Sequence, residues 1–394
     1  MSDATTTLPK PVLHLCSDFA NQNIYTQLIR HLRAAGIQQR VFAAVRSQAE
    51  VDRQLADEAP NLLFDIRNVL RRRHRILFGS KIQLTCRTVE QRGWPASCGL
   101  IHAHFLYSDG AAAHRLARLH GVPFITAVRN SDLFTFMKYR PDLWPTAKAI
   151  LRDASGVVFL TPAYRDLLLR KLRGRLLDQV QGKAVVIPSG LSGPWLDNPA
   201  PVRPQESDLR VLYVGDFSAN KNISAVIRAV GSIRSRRPAK LTLVGGGGDG
   251  EAEVERLLGE GASAFVERHQ PIRDPDRLRG IARAHDVFAM PSFRETFGVV
   301  YLEALSQGLP IVHSRGQGVA GLLRDDAVSA SVDPSDPMAL AAAIEALHAK
   351  GSALQSRCVT EAARFSWERI AARYARLYAD AMHRRTVDTG DWDG

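Results

Sequence analysis

The sequence predicts an α/β protein built from two doubly wound domains, each with a parallel sheet covered by helices on both faces. Three observations lead to this prediction. Apolar, strand-like runs alternate with helical segments, the alternation restarts after a proline-rich stretch, and the chain is 394 residues long. Short apolar runs between helices are typical of parallel strands buried on both faces. The length by itself gives an expectation of two or three domains.

The first half of the chain contains a series of apolar segments that we predict as strands. They are residues 11–15, 41–45, 100–104, 122–128, 157–160 and 184–187. Helices are predicted over 25–35 and 111–120, because Gly36 and Gly121 follow them. Glycine is the usual residue just beyond the end of a helix. The pattern is therefore that of an alternating α/β domain.

Prolines and glycines then crowd into residues 188–209, where they interrupt the alternation. They are Pro188, Gly190, Gly193, Pro194, Pro199, Pro201 and Pro204. Such a stretch is typical of a linker, so we expect the first domain to span 1–195 and the second 205–371. In the second domain we predict strands at 210–214, 241–244, 286–290 and 310–312 and helices at 223–233 and 299–306, followed by a helix-rich tail from residue 338.

The charge of the chain is unevenly distributed. The sequence has 52 Lys and Arg against 40 Asp and Glu, a net charge of +12. Residues 1–200 carry 27 basic and 15 acidic side chains, whereas residues 201–394 carry 25 of each. Net charge bears on association and not on fold, so the asymmetry points to an anionic partner of the first half.

Composition and the cysteines exclude several classes of protein. With 45% hydrophobic and 23% charged residues, the chain is an ordinary globular protein. It contains no apolar run of 18 residues, and its first residues lack the pattern of a secretory signal. The spacing of Cys16, Cys86, Cys98 and Cys358 matches no zinc or redox motif. We expect a cytoplasmic protein, with peripheral attachment to the inner face of the cytoplasmic membrane as an option.

Residues 291–303 are the most informative segment, with the sequence Pro-Ser-Phe-Arg-Glu-Thr-Phe-Gly-Val-Val-Tyr-Leu-Glu. A predicted strand ends at Met290, and a helix is expected to begin near Phe297. Ligands of open α/β sheets bind at the carboxyl ends of strands, and a helix N-terminus attracts anions. The backbone N–H groups of 297–299 would face that site. The carboxylates of Glu295 and Glu303 suit the hydroxyl groups of a sugar or ribose.

This segment, continued through Glu-Ala-Leu and Gly-Leu-Pro to Pro310, resembles the signature of glycosyltransferase family 4. Members of that family are retaining enzymes with the GT-B fold, and the resemblance is to those of bacterial envelope-polysaccharide synthesis. It implies two Rossmann-like domains facing a cleft. It also implies that a last helix, at about 372–394, crosses back to the N-terminal domain.

The resemblance extends to the expected phosphate loop after the strand at 210–214. In the family, Gly-Arg begins this loop and a Lys follows five residues later. Here Gly215 and Lys221 are present, but Asp216 stands where the Arg usually is. The change removes one cation expected near the diphosphate, and Arg294 is a candidate to compensate for it. The turn at 244–250 resembles the glycine-rich turn of the family and is a poor match to a dinucleotide fingerprint, so NAD binding is not expected.

The first half resembles the family more loosely. The Gly-Gly that often follows the first strand is absent, and Asn21 and Gln22 become the hydrogen-bonding candidates. The family often has His-Gly-x-Asp after a later strand, where this chain has Arg129, Asn130 and, at the fourth position, Asp132. An arginine is a permanent cation whose planar fork suits a carboxylate or phosphate.

The resemblance thus implies a set of site residues, each weighed against an ordinary structural role. The expected catalytic residues are Glu295, Lys221, Arg129 and Asp132. Donor binding is expected from Glu303, Phe297, Gly298, Val299, Gly215, Asp216, Asn222, Arg294 and Gly246. Asn21, Gln22, Asn130 and His104 are expected at the cleft of the N-terminal domain, although His102 and His104 also fit as core histidines. Neither a cofactor nor a metal is expected, because a histidine pair without a third ligand is weak evidence for one.

Two basic clusters occur beside apolar residues. The first consists of Arg67, Arg71, Arg72, Arg73, His74 and Arg75, next to Leu70, Ile76, Leu77 and Phe78. The second consists of Arg170, Lys171, Arg173 and Arg175, among Leu167, Leu168, Leu169, Leu172, Leu176 and Leu177. Such clusters favour an anionic membrane surface, with a solvated helix face as the alternative. The sequence has no motif of nucleic-acid recognition, so no nucleic-acid partner is expected.

The expected function is transfer of a sugar, with retention, from a UDP-sugar or alternatively a GDP-sugar to a hydroxyl acceptor. The donor would bind the second domain. The acceptor would bind the first and would be a lipid-linked or anionic cell-envelope glycan. Two alternatives stay open: a GT-B epimerase or hydrolase of sugar nucleotides, and a non-catalytic, membrane-associated scaffold.

Overall fold

The computed structural model describes residues 8–55, 63–191, 193–202, 204 and 208–388. The chain divides into two compact units. Unit 1 holds the described residues up to Leu160, Tyr164–Pro188 and the described residues from Trp367 onwards, and unit 2 holds Thr161–Ala163 and Ser189–Ser366. The division after Pro188 falls inside the proline- and glycine-rich segment. It lies seven positions before the expected end of the first domain at residue 195.

Unit 1 contains a seven-stranded parallel sheet. Its strands are β1 (Val12–Leu15), β2 (Gln39–Val45), β3 (Leu63–Asn68), β4 (Leu100–Ala103), β5 (Phe124–Val128), β6 (Gly156–Phe159) and β7 (Ala184–Val186). Their order is β3-β2-β1-β4-β5-β6-β7. The order changes direction beside β1, whose two neighbours are β2 and β4. The carboxyl ends of β1 and β4 therefore form the topological switch point at which α/β sheets bind ligands.

Helices cover both faces of this sheet. They are α1 (Asn23–Ala34), α2 (Gln48–Leu55), α3 (Phe78–Glu90), α4 (Trp94–Ser97), α5 (Ser108–His120), α6 (Met137–Tyr139), α7 (Trp144–Asp153), α8 (Pro162–Leu169) and α9 (Gly174–Gln181). Short 3-10 helices occupy Phe19–Asn21, Arg72–Arg75 and Pro141–Leu143, and a π-helical turn occupies Asp132–Phe136. The predicted ends of α1 and α5 are confirmed, since Gly36 and Gly121 follow them with positive φ angles of 84° and 61°.

Unit 2 contains a six-stranded parallel sheet in the order β10-β9-β8-β11-β12-β13. Its strands are β8 (Leu209–Gly215), β9 (Ala239–Gly245), β10 (Val266–His269), β11 (Val287–Met290), β12 (Ile311–Ser314) and β13 (Ser329–Val332). Its helices are α10 (Gly193–Leu196), α11 (Ile223–Arg234), α12 (Glu251–Gly259), α13 (Pro275–Arg283), α14 (Val299–Ser306), α15 (Pro337–Ala349) and α16 (Ala353–Ala362). Short 3-10 helices lie at Ala219–Lys221, Ala262–Ala264, Asp326–Val328 and Ala363–Phe365.

The last helix, α17 (Trp367–Asp388), belongs to unit 1 and not to the unit that precedes it in the chain. Its buried face, which includes Tyr374 and Tyr378, packs against α1 and the strands of the first sheet. The expected return of the final helix to the first domain is thus confirmed. The helix begins at Trp367 instead of about residue 372, and residues 389–394 lie outside the described part of the chain.

The predicted fold class, two Rossmann-like α/β units, is confirmed. Three strands were not predicted, namely β3, β10 and β13, and all three lie at the edges of their sheets. An edge strand has one neighbour instead of two, so it is less buried and need not be continuously apolar. In β10, for example, Glu267 is exposed and no residue is fully buried. The apolar runs used to predict strands are therefore weakest at these positions.

Candidate functional site

In unit 2, Glu295 lies in the loop between β11 and α14, and hydrogen bonds hold this loop in place. The backbone N–H of Glu295 donates to Gln317 Oε1 at 3.2 Å. Its carbonyl accepts from Gly318 N at 3.0 Å, and its carboxylate Oε1 accepts from Thr296 N at 3.1 Å. The backbone beside Glu295 is thus tied to the segment after β12, which gives the carboxylate a defined position.

Lys221 meets Glu295 at the carboxyl edge of the second sheet. Lys221 lies in the 3-10 helix after β8, and β8 is the neighbour of β11. The distance from Lys221 Nζ to Glu295 Oε2 is 2.7 Å, and the two side chains are 20% and 10% exposed. The structure therefore brings together the cation and the carboxylate that the sequence analysis placed in the reaction.

Two asparagines on either side of Lys221 support this pair. The Asn220 amide donates to Arg294 O at 2.8 Å and accepts from Arg294 N at 3.1 Å. Asn222 has a positive φ of 58°, and its amide donates to Pro291 O and Pro334 O at 3.2 and 2.6 Å. Asn222, expected to bind the donor, thus braces the loop. The side chain of Arg294 is exposed to solvent.

The expected phosphate loop is formed by close contact between the ends of β8 and β9. A Cβ atom on Gly245 would lie 1.8 Å from the carbonyl oxygen of Gly215, so only glycine fits there. The next residue, Gly246, continues this turn. Asp216 is exposed, and its carboxylate accepts a hydrogen bond from Ser218 N at 3.0 Å. The loop therefore carries a negative charge at the position where the family usually has a positive one.

Helix α14 coincides with the helix predicted at 299–306, and it begins two residues after Phe297. Its first residue is Val299, and Gly298 precedes it with a left-handed φ of 75°. The N–H of Phe297 therefore belongs to the loop and not to the first turn of the helix, and the Phe297 side chain is buried in the core. The predicted helix at 299–306 is therefore confirmed, and the left-handed Gly298 explains why it begins after Phe297 and not at it.

Glu303 lies on the second turn of α14 in largely apolar surroundings. The cavity around it is lined by Leu212, Val214, Phe288 and Val300, among others. Burial in these surroundings raises the pKa of Glu303 to about 7. At neutral pH its carboxyl group is therefore divided between the protonated and ionised forms, and both can hydrogen-bond a hydroxyl group.

In unit 1, Arg129 follows β5 at the carboxyl edge of the sheet and is 8% exposed. Its Nε donates to the carbonyl of His104 at 3.2 Å, and its guanidinium lies 5.9 Å from the ring centroid of Tyr25. The residue that follows it, Asn130, is half-buried. Arg129 is thus held by β4 on one side and by α1 on the other.

Asp132 is fully buried and is satisfied by backbone donors. Its carboxylate accepts from the N–H groups of Arg129, Leu106 and Tyr107 at 2.9, 3.1 and 3.3 Å. Burial raises the pKa of Asp132 to about 6 despite these bonds. Asp132 therefore acts as a brace between the segments after β4 and β5.

His104 points into a buried histidine cluster made with His14 and His102, whose ligand-type nitrogens lie within 4.8 Å of one another. His14 was not singled out from the sequence. His14 Nδ1 and His104 Nε2 are 3.0 Å apart, and His102 Nδ1 bonds the Tyr378 hydroxyl at 2.8 Å. Burial lowers the pKa of all three, so they are neutral. The structure thus adds a third histidine to the predicted pair, and among the described residues these three lie close enough to one another to hold a metal ion.

The loop between β1 and α1 holds two candidates, Asn21 and Gln22, and contacts Asp109 of α5, which the sequence analysis missed. Asn21 and Gln22 are exposed, and the Asn21 amide donates to Asp18 and Glu50. Asp109, at the start of α5, accepts two hydrogen bonds from Ser17 N at 3.1 and 3.3 Å. Burial raises the pKa of Asp109 to about 7. A single aspartate in a helical segment carries no signal that could have identified it.

The two basic clusters differ in what surrounds them. In the first, Ile76 and Leu77 are 77% and 52% exposed beside exposed arginines. In the second, Leu168 and Leu172 are buried in the core of unit 1. The second cluster therefore lacks the exposed apolar partners that the sequence analysis expected. Within the described residues, no helix has the length and apolarity needed to cross a bilayer.

Two family models match the chain. One, described as a glycosyl transferase 4-like domain, matches residues 22–190, and the other, described as glycosyl transferases group 1, matches residues 208–350. Together they cover most of both units. The position after Pro188 at which the structure divides the chain lies close to the end of the first match.

Curated relatives and solved structures agree with these matches. The D-inositol 3-phosphate glycosyltransferase of Paenarthrobacter aurescens is 28% identical to this chain over 303 residues, and the alignment covers 72% of each protein. The protein of the same name from an Arthrobacter species is 27% identical over 396 residues, and the alignment covers 93% of this chain and 91% of the relative. Sucrose-phosphate synthase from Thermosynechococcus elongatus has a TM-score of 0.69 at 22% sequence identity, and the match covers 97% of this chain and 100% of the synthase. Anabaena HepE in complex with UDP has a TM-score of 0.70 at 16% sequence identity, and the match covers 94% of this chain and 99% of HepE.

Proposed function

Because this chain belongs to family 4 of the GT-B glycosyltransferases, we propose that it transfers a sugar from a nucleotide-diphosphate sugar to a hydroxyl acceptor with retention of anomeric configuration. The Lys221–Glu295 pair is the observation that most supports this proposal. It places a cation and a carboxylate 2.7 Å apart at the carboxyl edge of the second sheet. A UDP-sugar is the favoured donor, in line with HepE, which is described in complex with UDP and with UDP-glucose. A GDP-sugar is the alternative.

In the proposed reaction, the donor binds unit 2. Lys221 and the N–H groups that open α14 take the diphosphate and stabilise the negative charge that grows as the bond from sugar to phosphate breaks. Glu295 hydrogen-bonds the hydroxyl groups of the donor sugar and orients it, which is a proximity contribution to the rate. Glu303 takes the hydroxyl groups of the ribose.

The acceptor hydroxyl attacks the anomeric carbon on the face from which the phosphate leaves. The bond from the anomeric carbon to the phosphate oxygen breaks, the bond to the acceptor oxygen forms, and the acceptor proton passes to the leaving phosphate. This course retains the configuration. It needs neither a protein nucleophile nor a resident metal or cofactor.

We propose that the acceptor binds unit 1 and is a lipid-linked or anionic glycan of the cell envelope. The charge supports this, since the whole net excess of +12 lies in residues 1–200. Ile76 and Leu77, exposed among arginines, would place unit 1 on an anionic membrane surface at the cytoplasmic side. The D-inositol 3-phosphate glycosyltransferases that resemble the chain carry a phosphorylated acceptor in their name.

The test is a thermal-shift screen of the full chain with UDP-, GDP-, ADP- and dTDP-sugars, followed by product analysis with and without acceptor. We expect one nucleotide class to raise the unfolding temperature. We expect a product only with acceptor present, with an anomeric proton coupling in its NMR spectrum that matches the donor. Inverted product contradicts retention. An isomerised or hydrolysed donor without acceptor indicates an epimerase or hydrolase, and no nucleotide binding indicates a scaffold.

A further inference from the structure

Arg129 is a permanently charged group that is nine-tenths buried and yet forms no ion pair with any described carboxylate. Its side chain is 8% exposed, and its described contacts are the carbonyl of His104 and the aromatic side chains of Tyr25 and Tyr374. A buried charge is costly unless it is paired, because burial removes it from water. The fold therefore maintains a cation at this place without supplying its anion.

Asp132 is the acidic residue closest to Arg129 in the sequence, but its carboxylate accepts hydrogen bonds from backbone N–H groups. Three backbone N–H groups donate to it, including that of Arg129 itself, and it forms no ion pair with the Arg129 guanidinium. Asp109, the other buried carboxylate of this region, accepts hydrogen bonds from Ser17 N. Neither carboxylate accepts a hydrogen bond from the guanidinium group of Arg129.

The aromatic side chains around Arg129 orient the guanidinium. Tyr25 lies in the first turn of α1 and forms a cation–π contact with it, and the hydroxyl of Tyr374 on α17 interacts with it from a second helix. The contact with Tyr25 also places Arg129 beside the N-terminus of α1, where Gln22 makes no side-chain capping bond. A helix N-terminus adds positive potential to that of the guanidinium.

We propose that Arg129 binds a phosphate or carboxylate group carried by the substrate of unit 1's site. The inference rests on the proposed function and deepens it: the substrate is an anionic sugar or polyol, not a neutral one. Bidentate hydrogen bonding by the guanidinium fork is the geometry that both anions share. The group belongs to the acceptor, either as the phosphate of a phosphorylated polyol or sugar or as the carboxylate of a uronic acid.

Calorimetry on the full chain with matched pairs of probes tests this proposal. The phosphate arm compares D-inositol 3-phosphate with inositol, and the carboxylate arm compares glucuronate with glucose. We expect the anionic member of at least one pair to bind about tenfold or more tightly than its neutral partner. Arg129→Gln should abolish that preference, and Arg129→Lys, which keeps the charge without the fork, should retain part of it.

The matched control is Arg140→Gln, which removes a half-buried arginine of unit 1 that is paired with Asp142. It should leave the preference unchanged. The unfolding temperature of each variant separates binding from folding, since removing an unpaired buried charge should not lower it. If Arg129→Gln does not fold, the anion preference of Arg129→Lys is the test, provided that its unfolding temperature equals that of the wild type.

The proposal is overturned if the wild-type chain shows no anion preference in either arm, or if Arg129→Lys and Arg129→Gln both keep it in full. These results do not depend on turnover. A chain that binds the anion through Arg129 but transfers no sugar would contradict the proposed function alone, and a chain that transfers sugar with no effect of Arg129 on anion binding would contradict this inference alone.

Discussion

Lys221 Nζ lies 2.7 Å from Glu295 Oε2, which joins residues 74 positions apart in the sequence across two neighbouring strands. The ion pair satisfies both groups in the free protein. In the proposed reaction, a donor diphosphate would therefore compete with Glu295 for the lysine, and a donor sugar would compete with Lys221 for the carboxylate.

Glu295→Gln should separate these two competitions. It removes the partner of Lys221, so we expect UDP to bind a few times more tightly, about 1 kcal/mol for a partly exposed pair. Transfer should fall by about 100-fold or more, because the sugar loses its orienting carboxylate. Calorimetry gives the first value and a transfer assay the second.

Lys221→Ala is the complementary variant and should weaken UDP binding, whereas Lys240→Ala, at an exposed position of β9, should not change it. Turnover of Glu295→Gln close to that of the wild type would remove Glu295 from the reaction. Unchanged UDP affinity in Lys221→Ala would remove the lysine from the donor site.

Asp216→Arg should tighten UDP binding about five- to tenfold, because it replaces an exposed anion of the expected phosphate loop by a cation. Asp216→Asn is the matched control. It removes the repulsion without adding a charge, so its affinity should lie between those of the wild type and Asp216→Arg. Calorimetric titration with UDP at fixed salt measures all three, and weaker binding by Asp216→Arg would show that the diphosphate does not contact this loop.

Gly245→Ala should destabilise unit 2 strongly. The new Cβ atom would lie 1.8 Å from the carbonyl oxygen of Gly215, and a backbone atom in a sheet cannot move aside cheaply. We expect a loss of about 3 kcal/mol or more, seen as a lower apparent unfolding temperature. Gly280→Ala, inside α13 with nothing within 4 Å, should instead stabilise by about 0.5–1 kcal/mol. Equal effects of the two substitutions would contradict the close contact.

Glu303 should make the stability of unit 2 depend on pH. Burial raises its pKa to about 7 from an ordinary value near 4.5, so the fold favours the protonated form. The contribution of protonated Glu303 to the free energy of unfolding is full below its pKa in the unfolded chain, near 4.5, and is lost as the pH rises through its pKa in the folded protein, about 7. Glu303→Gln cannot ionise, so we expect it to be more stable than the wild type at pH 8 by about 2 kcal/mol, with a much smaller difference at pH 5.

Denaturant unfolding of both proteins at the two pH values measures this difference. Glu260→Gln is the control, because Glu260 pairs with Arg256 at the surface and its removal should have a small effect that is similar at both pH values. An advantage of Glu303→Gln that is the same at pH 5 and pH 8 would contradict titration of Glu303 in this range.

The first basic cluster should bind anionic membranes and the second should not. Replacing Arg71, Arg72 and Arg73 by Glu should reduce sedimentation with phosphatidylglycerol-containing vesicles about tenfold or more at an ionic strength of about 0.15 M. Replacing Arg170, Lys171 and Arg173 by Glu makes the same change in charge where Leu168 and Leu172 are buried, and should have a smaller effect. An equal loss in both variants would indicate a general charge effect, and no loss in either would contradict membrane binding.

The central strands of both sheets could be predicted from the sequence because each is a short, nearly continuous apolar run. Residues such as those of β1 and β11 are buried by two neighbouring strands and by helices on both faces, so nearly every side chain must be apolar. The edge strands β3, β10 and β13 lack one neighbour and mix apolar with polar residues. Their assignment depends on pairing partners far away in the sequence.

The sequence by itself determined the two-unit α/β plan, the family and most candidates of the donor site, because those signals lie in short segments. The tertiary structure decided that Lys221 pairs with Glu295, that Asn222 and Asp132 brace loops, and that His104 faces a buried cluster. It also decided that Arg129 is buried between Tyr25 and Tyr374 and has no ion-pair partner in the part of the chain that the structure describes. These properties depend on which strands and helices become neighbours. A local pattern records the type of a residue, whereas its burial and its partners are set by segments that are distant in the chain.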